Sequence, residues 1–210
     1  ENGEFSGIFP DFLKLLNQRT GTDIRIVLGP WAEMLNQAKN RSIDGLGASH
    51  IADSRRRYFK FTRPLFNVYY YIYARSEDLD RFKGIADLSG KRVGYIQNYI
   101  KIEELINQNS AVLPAPLKST EAMAAALLSG EVDVLIANPA LEYWRNQNAH
   151  TGFAIAAMLP ESRAGIVFSI RKDWPELVGI LDKGLAAISE SEKQAILNRW
   201  LGDIRLDAPA

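Results

Sequence analysis

The 210-residue chain has no cysteine and only two histidines, His50 and His150. Lack of thiols excludes thiolate catalysis, a disulfide frame and cysteine-ligated metal, and two histidines argue against any metal centre. Excess charge is missing too: 25 basic and 25 acidic side chains cancel, leaving no electrostatic footprint for nucleic acid or an anionic membrane. Any anion site must therefore be local. No apolar run is long enough to span a bilayer as a helix and no secretory leader is recognisable, so the chain reads as an excised soluble piece. Its length suits one large domain or two small lobes.

What is present is organised around residues 43–62, IDGLGASHIADSRRRYFKFT. A short apolar run with Ile43 and Leu46 reads as a buried strand and gives way to Gly47, Ala48 and Ser49, small residues that let a ligand approach the backbone. His50 follows. Arginines 55 to 57 come next, and an arginine can clamp a carboxylate with two parallel charge-assisted bonds. A solvated basic turn is the bland alternative. If residues 54–59 make a helical turn, Arg55 shares a face with Tyr58 and Phe59, which should be buried, while Arg56 and Arg57 point to solvent.

Upstream, Asn2-Gly3 signals a turn, and Phe9, Phe12, Leu13 and Leu16 predict a helix from about Pro10 to Arg19, stopped by Gly21. Residues 24–28 alternate as a strand. Pro30 starts a second helix buried through Met34, Leu35 and Ala38. Helix and strand in alternation predict a mostly parallel sheet covered on both faces. Downstream, VYYYIYA at 68–74 is β-rich. A turn at 87–91 feeds a strand at 92–96, which opens through Gln97, Asn98 and Tyr99 into a helix beginning about Ile100. Backbone N–H groups at such a turn can bind an anion or a polar group.

EMLNQAKNRSIDGLGAS aligns without a gap on AMAAALLSGEVDVLIAN, so that Met34 meets Met123 and Asp44 meets Asp133. The echo suggests that a helix-strand unit occurs twice, and it puts Ser49 and Asn138 at matching strand ends, where open α/β sheets bind ligands. Asn138 before Pro139 also reads as a helix cap. The C-terminal third predicts strands at 153–158 and 164–170 with Pro160 as the boundary between them. A helix from Asp173, as N-cap, to Ile188 follows, packed through Leu177, Ile180, Leu181, Leu185 and Ile188. A Ser189/Glu192 capping box then opens a last helix ending near Leu201, and the closing DIRLDAPA is polar.

The order apolar-Asp, small-residue turn, Arg55 six residues before Phe61, then Phe61-Thr62-Arg63-Pro64 resembles bacterial extracytoplasmic solute-binding proteins of family 3, which take up polar amino acids, and the Venus-flytrap sensor domains of membrane receptors. The resemblance implies an α/β, two-lobed periplasmic-binding-protein type II fold, each lobe a mostly parallel sheet flanked by helices. Lobe one would comprise residues 1–74 plus 163–210 and lobe two residues 75–162. It also implies a first strand ahead of residue 1, in the middle of lobe one. By the same resemblance Arg55 holds the ligand carboxylate, Trp31 stacks on the ligand or simply packs in the core, and Ala48 with Ser49 or His50 lines the site.

Asn98, Tyr99, Ile100 and Asn138 would supply the second lobe's half. Asn98 and Tyr99 stand where the family usually has Gly and Ser or Thr, and Asn138 where amino-acid binders carry an aspartate. The expected function is capture of a small carboxylate-bearing solute without chemistry, without cofactor or metal, in the periplasm. The expected partner is a membrane-anchored signalling module, with an ABC permease as the transport alternative. A dehydratase on the same fold and a structural or adhesive module are the readings from other classes.

Overall fold

Phe12, Leu13 and Leu16 face inward from α1 (Ile8–Thr20), whose end is set by Gly21 at φ 67, a left-handed position glycine adopts without strain. The computed structural model describes residues 5–109 and 111–201; the Asn2-Gly3 turn and the DIRLDAPA tail lie outside them. Residues 5–67 with 165–201 make one compact unit, and residues 68–164 a second.

In the first unit α1 leads into an extended segment in which Thr22, Ile24 and Ile26 are half-buried while Asp23, Arg25 and Val27 are exposed. This is the alternation that predicted a strand at 24–28, yet no strand forms there. Asn17 holds Ile24 at both backbone groups, at 3.0 and 3.1 Å, but residues 25–28 make no backbone hydrogen bond among the described residues. Alternation is a side-chain property, whereas a strand also needs a neighbour to bond. Pro30 then starts α2 (Trp31–Lys39), which buries Met34 and Ala38. Next come β1 (Gly45–Ser49), two residues later than expected, and β2 (Phe59–Phe61).

The second unit opens with β3 (Phe66–Arg75), whose start belongs to the first. It continues through β4 (Arg92–Ile96), α3 (Ile100–Asn107), β5 (Leu113–Leu117), α4 (Thr120–Ser129), β6 (Val134–Ala137) and α5 (Ala140–Gln147). Strands β5, β4 and β6 run parallel, with Gly94 beside Leu135 and beside Ala115, and β3 joins β6 antiparallel, Ile72 beside Ile136. Tyr70, Ile72 and Ala74 pack on one face of this sheet with Val93, Ile102 and Ile106, while Tyr71 and Tyr73 pack on the other with Met123, Leu127 and Phe153. The internal echo is structural. One spacing carries the first residue of α2, Trp31, to the first of α4, Thr120, and the first of β1, Gly45, to the first of β6, Val134.

Two strands were expected at 153–158 and 164–170; instead a single 19-residue strand, β7 (Phe153–Arg171), runs through Pro160. Proline removes a ladder donor, and a side chain nearby takes part in the pairing. Ser162 Oγ accepts the Tyr70 N–H at 2.7 Å and donates to the Leu159 carbonyl at 2.5 Å. The far end of β7 pairs antiparallel with β1 (Gly45 beside Ile170) and with β2 (Phe59 beside Arg171). The sheet is thus mixed, and the mostly parallel expectation is corrected for the first unit, whose strand pairs among the described residues are antiparallel.

Helix α6 (Pro175–Ala186) is preceded by Trp174 as its N-cap, one residue later than the Asp173 cap expected. The Asp173 carboxylate is engaged by Arg171 through two bonds of 2.9 Å. Leu177, Leu181, Leu185 and Ile188 are buried as predicted, but Ile180 is exposed. Glu192 accepts the Ser189 N–H at 2.9 Å and Ser189 Oγ accepts the Glu192 N–H, completing the capping box of α7 (Glu190–Leu201). Within this unit a cavity of 660 Å³ lies among Ile24 and Ile26, β1, Phe9 and Leu13 of α1, and Ile180 of α6.

Candidate ligand-binding residues

In the first unit the candidate residues gather at the carboxyl end of β1. Ala48 has φ 50, an unusual left-handed conformation for a residue with a Cβ, where the β1–β7 register shifts between Leu46 and Ser49. Such a conformation costs roughly 1–2 kcal/mol, so the neighbouring pairing must hold it. Ala48 is exposed, whereas Ser49 turns inward. The Ser49 hydroxyl is 2.5 Å from Ser169 Oγ and donates to the Val167 carbonyl at 3.3 Å. His50 is half-buried with Nδ1 3.1 Å from the Gly165 carbonyl, which can only accept, so Nδ1 carries the proton.

Arg55 ends a short 3₁₀ turn, Asp53–Arg55, and is only 6% exposed. Its guanidinium carbon lies 5.2 Å from the centre of the Trp31 ring, a cation–π arrangement that joins two candidates from different elements. Arg56 and Arg57 are exposed as the helical phase predicted, Arg56 bonded to Asp53 at 2.7 Å and Arg57 lying over Tyr58 at 4.6 Å. Tyr58 is half-buried rather than buried. Trp31 Nε1 is buried and has no hydrogen-bond partner among the described residues, which is unusual for an indole N–H.

In the second unit the candidates follow the carboxyl ends of two adjacent parallel strands, β4 and β6, where open α/β sheets place ligand contacts. Asn98 is left-handed, φ 65, and its N–H donates to Glu103 Oε1 at 2.8 Å. Tyr99 caps α3 without a side-chain bond and packs against the core that holds Tyr70, and burial pushes its phenol above the ordinary value. Ile100 is the first residue of α3 and half-buried. Asn138 follows β6 and is half-buried; it stands just before Pro139, the N-cap of α5, and its Oδ1 accepts the Ala140 N–H at 3.0 Å. The Tyr73 hydroxyl donates to the Asn138 carbonyl at 3.4 Å.

Sequence reasoning missed two residues. Ser169 partners Ser49 from 120 positions away, which no local pattern reveals. Glu103 did leave a trace, an acidic residue in the first turn of a helix, where carboxylates favour the positive end. Among the described residues no group of three His, Cys, Asp or Glu side chains could hold a metal ion, and no helix is long and apolar enough to cross a membrane.

Arg55 and Trp31 together present a buried cation on an aromatic face. The profile of bacterial extracellular solute-binding proteins, family 3, matches residues 1–203, and the chain belongs to that family. It is therefore an extracytoplasmic solute binder and not an enzyme.

The virulence sensor protein BvgS of Bordetella pertussis is 25% identical over 201 residues, 95% of this chain but 16% of the sensor's length. The crystal structure of the BvgS periplasmic VFT2 domain from the same organism superposes with a TM-score of 0.84 at 26% identity, covering 93% of this chain and 84% of that one. The ABC transporter arginine-binding protein 1 of Escherichia coli strain K12 is 23% identical, over 95% of this chain and 83% of its own length. The fold is the Venus-flytrap, periplasmic-binding type.

Proposed function

We propose that this chain is the ligand-sensing domain of a membrane-bound signalling receptor and that its ligand is a small carboxylate-bearing solute without an obligatory α-ammonium group. In the first unit Arg55 is the anchor of the carboxylate and Trp31 a stacking surface beside it; in the second unit Asn98, Tyr99, Ile100 and Asn138 offer neutral contacts. The observation that carries the ligand class is the amide of Asn138: with Oδ1 engaged by the Ala140 N–H, the side chain has N–H donors left to offer. Donors suit a carboxylate or carbonyl. They cannot satisfy an ammonium, which is costly to leave unpaired in a poorly solvated site. The sensing role is supported by the likeness to the BvgS periplasmic domain, whose parent relative is about six times longer than the matched part.

A second reading has its own support. The arginine-binding transport protein is matched over most of its length, which fits a free binding protein that delivers an amino acid to an ABC permease. An ammonium would then be met by Glu103, the carboxylate beside Asn98. One thermal-shift screen separates the two, because a ligand that binds the native state raises the midpoint. Amino acids are compared with matched acids lacking the amine. Stabilisation by the acids supports the proposal. Stabilisation by the amino acids alone overturns it, and loss of that effect in Glu103→Gln would identify the acceptor.

A further inference from the structure

The pairing of β1 with β7 slips by one residue. Leu46 lies beside Ser169 and Ser49 beside Val167, so three steps along β1 are matched by two along β7, and the extra residue makes a β-bulge at Gly47 and Ala48. Alternation decides what the bulge does. In an unbroken ladder Ala48 would share the buried side of Leu46 and Ser49 would turn away; one added residue exchanges their faces. Ser49 is accordingly 1% exposed, while Ala48 is outside and left-handed at φ 50. Gly47 has no room for a side chain, because a Cβ there would lie 2.0 Å from the Phe9 ring.

On the buried side Ser49 meets Ser169, which is fully enclosed. The two hydroxyls are 2.5 Å apart and Ser49 Oγ donates to the Val167 carbonyl at 3.3 Å, so Ser169 is the donor within the pair. In an unbroken ladder Ser169 would face the Ala48 methyl instead and lose that acceptor, which is costly inside a core. The pair therefore distinguishes two registers that apolar side chains of the same size would not. His50, the next residue, is fixed to the Gly165 carbonyl at 3.1 Å. We infer that Ser169 is a positioning residue of the candidate ligand site: through Ser49 it holds the bulge that turns Ala48 outward at the end of β1, and Ser49 acts on the shape of the site rather than on the ligand. The inference rests on the proposed function for the ligand's meeting this strand end, whereas its claim about the bulge stands on the ladder alone.

The experiment has two readouts on the intact 210-residue chain. The amide-to-Hα coupling and the carbon shifts of Ala48 report its φ by NMR, with Ala137, the matching residue of β6, as an internal control. The native protein and Ser169→Thr, which keeps the hydroxyl, are expected to show one left-handed Ala48 signal. Ser169→Ala and Ser49→Ala are expected to lose it to an extended one while Ala137 stays unmoved. Calorimetry with butyrate as the probe is expected to show affinity about tenfold weaker in Ser169→Ala and restored in Ser169→Thr. Should Ser169→Ala not fold, Ser169→Cys, similar in size and a weak donor, takes its place and is expected to show both signals. An Ala48 signal unchanged in the alanine variants would overturn the inference, and so would unchanged butyrate affinity in a variant whose Ala48 has turned. If Ala48 responds as expected while butyrate does not bind even the native protein, the bulge is held as described and it is the proposed ligand class that fails.

Discussion

Arg55 differs from Arg56 and Arg57 in burial and in neighbour, since it alone is enclosed and stacked on Trp31. Replacing Arg55 by Ala is expected to remove a charge-assisted contact of roughly 1.5–3 kcal/mol and to weaken binding of the preferred acid ten- to hundredfold by calorimetry. Arg56→Ala and Arg57→Ala are expected to leave affinity within about twofold, because exposed pairs contribute little. Equal losses from all three would reduce the cluster to a basic turn. Helical phase made the difference between these arginines legible in the sequence. The engagement of the Asn138 oxygen was legible only as a cap, and the Glu103–Asn98 bond was not legible, since a side chain five residues on reaches back only in a particular turn geometry.

Asp173 adds a pH dependence at the same scale. Bonding to Arg171 holds its carboxyl at about 2, against 3.8 ordinarily. A depressed folded-state value means that the contribution is complete above the ordinary value and is lost as pH falls through about 2. Acid unfolding of Asp173→Asn, followed by circular dichroism, should therefore show a shallower fall in stability between those limits than the native protein.

At the scale of elements, secondary structure was readable where a segment carries its own stop and start signals. Gly21 ends α1, Ser189 and Glu192 open α7, and both ends were foreseen. Reading failed where a distant partner decides. Residues 24–28 alternate like a strand, but among the described residues 25–28 make no backbone hydrogen bond, and Pro160 lies inside a strand because Ser162 supplies hydrogen bonds beside it. Ser162→Ala should leave the buried Tyr70 N–H without its acceptor and lower stability by about 1–3 kcal/mol in urea unfolding. A loss below about half a kcal/mol would show that the strand does not depend on this hydroxyl.

At the scale of the whole chain, the two compact units differ in how completely their extended segments are paired. In the second, β4 is bonded along both edges by β5 and β6, and proline occupies two outward-facing positions of β5, Pro114 and Pro116, whose neighbours Leu113 and Leu117 bond toward β4. In the first, residues 25–28 make no backbone hydrogen bond among the described residues, and 25–27 border a 660 Å³ cavity whose lining includes exposed Ile180 and Val27. Unpaired backbone beside poorly packed apolar surface marks the low-stability end of a structure. The first unit is therefore expected to open at lower denaturant than the second. Tryptophan placement allows each to be read alone, because Trp31, Trp174 and Trp200 belong to the first unit and Trp144 to the second. Trp144→Phe leaves reporters only in the first, and the triple replacement of the others by Phe leaves one only in the second. Urea unfolding followed by fluorescence should give the lower midpoint in Trp144→Phe, once each variant's overall stability has been matched by circular dichroism. Coincident midpoints would mean that β3 and β7, which run through both units, bind them into one cooperative transition, and the expectation drawn from the open segment would be wrong.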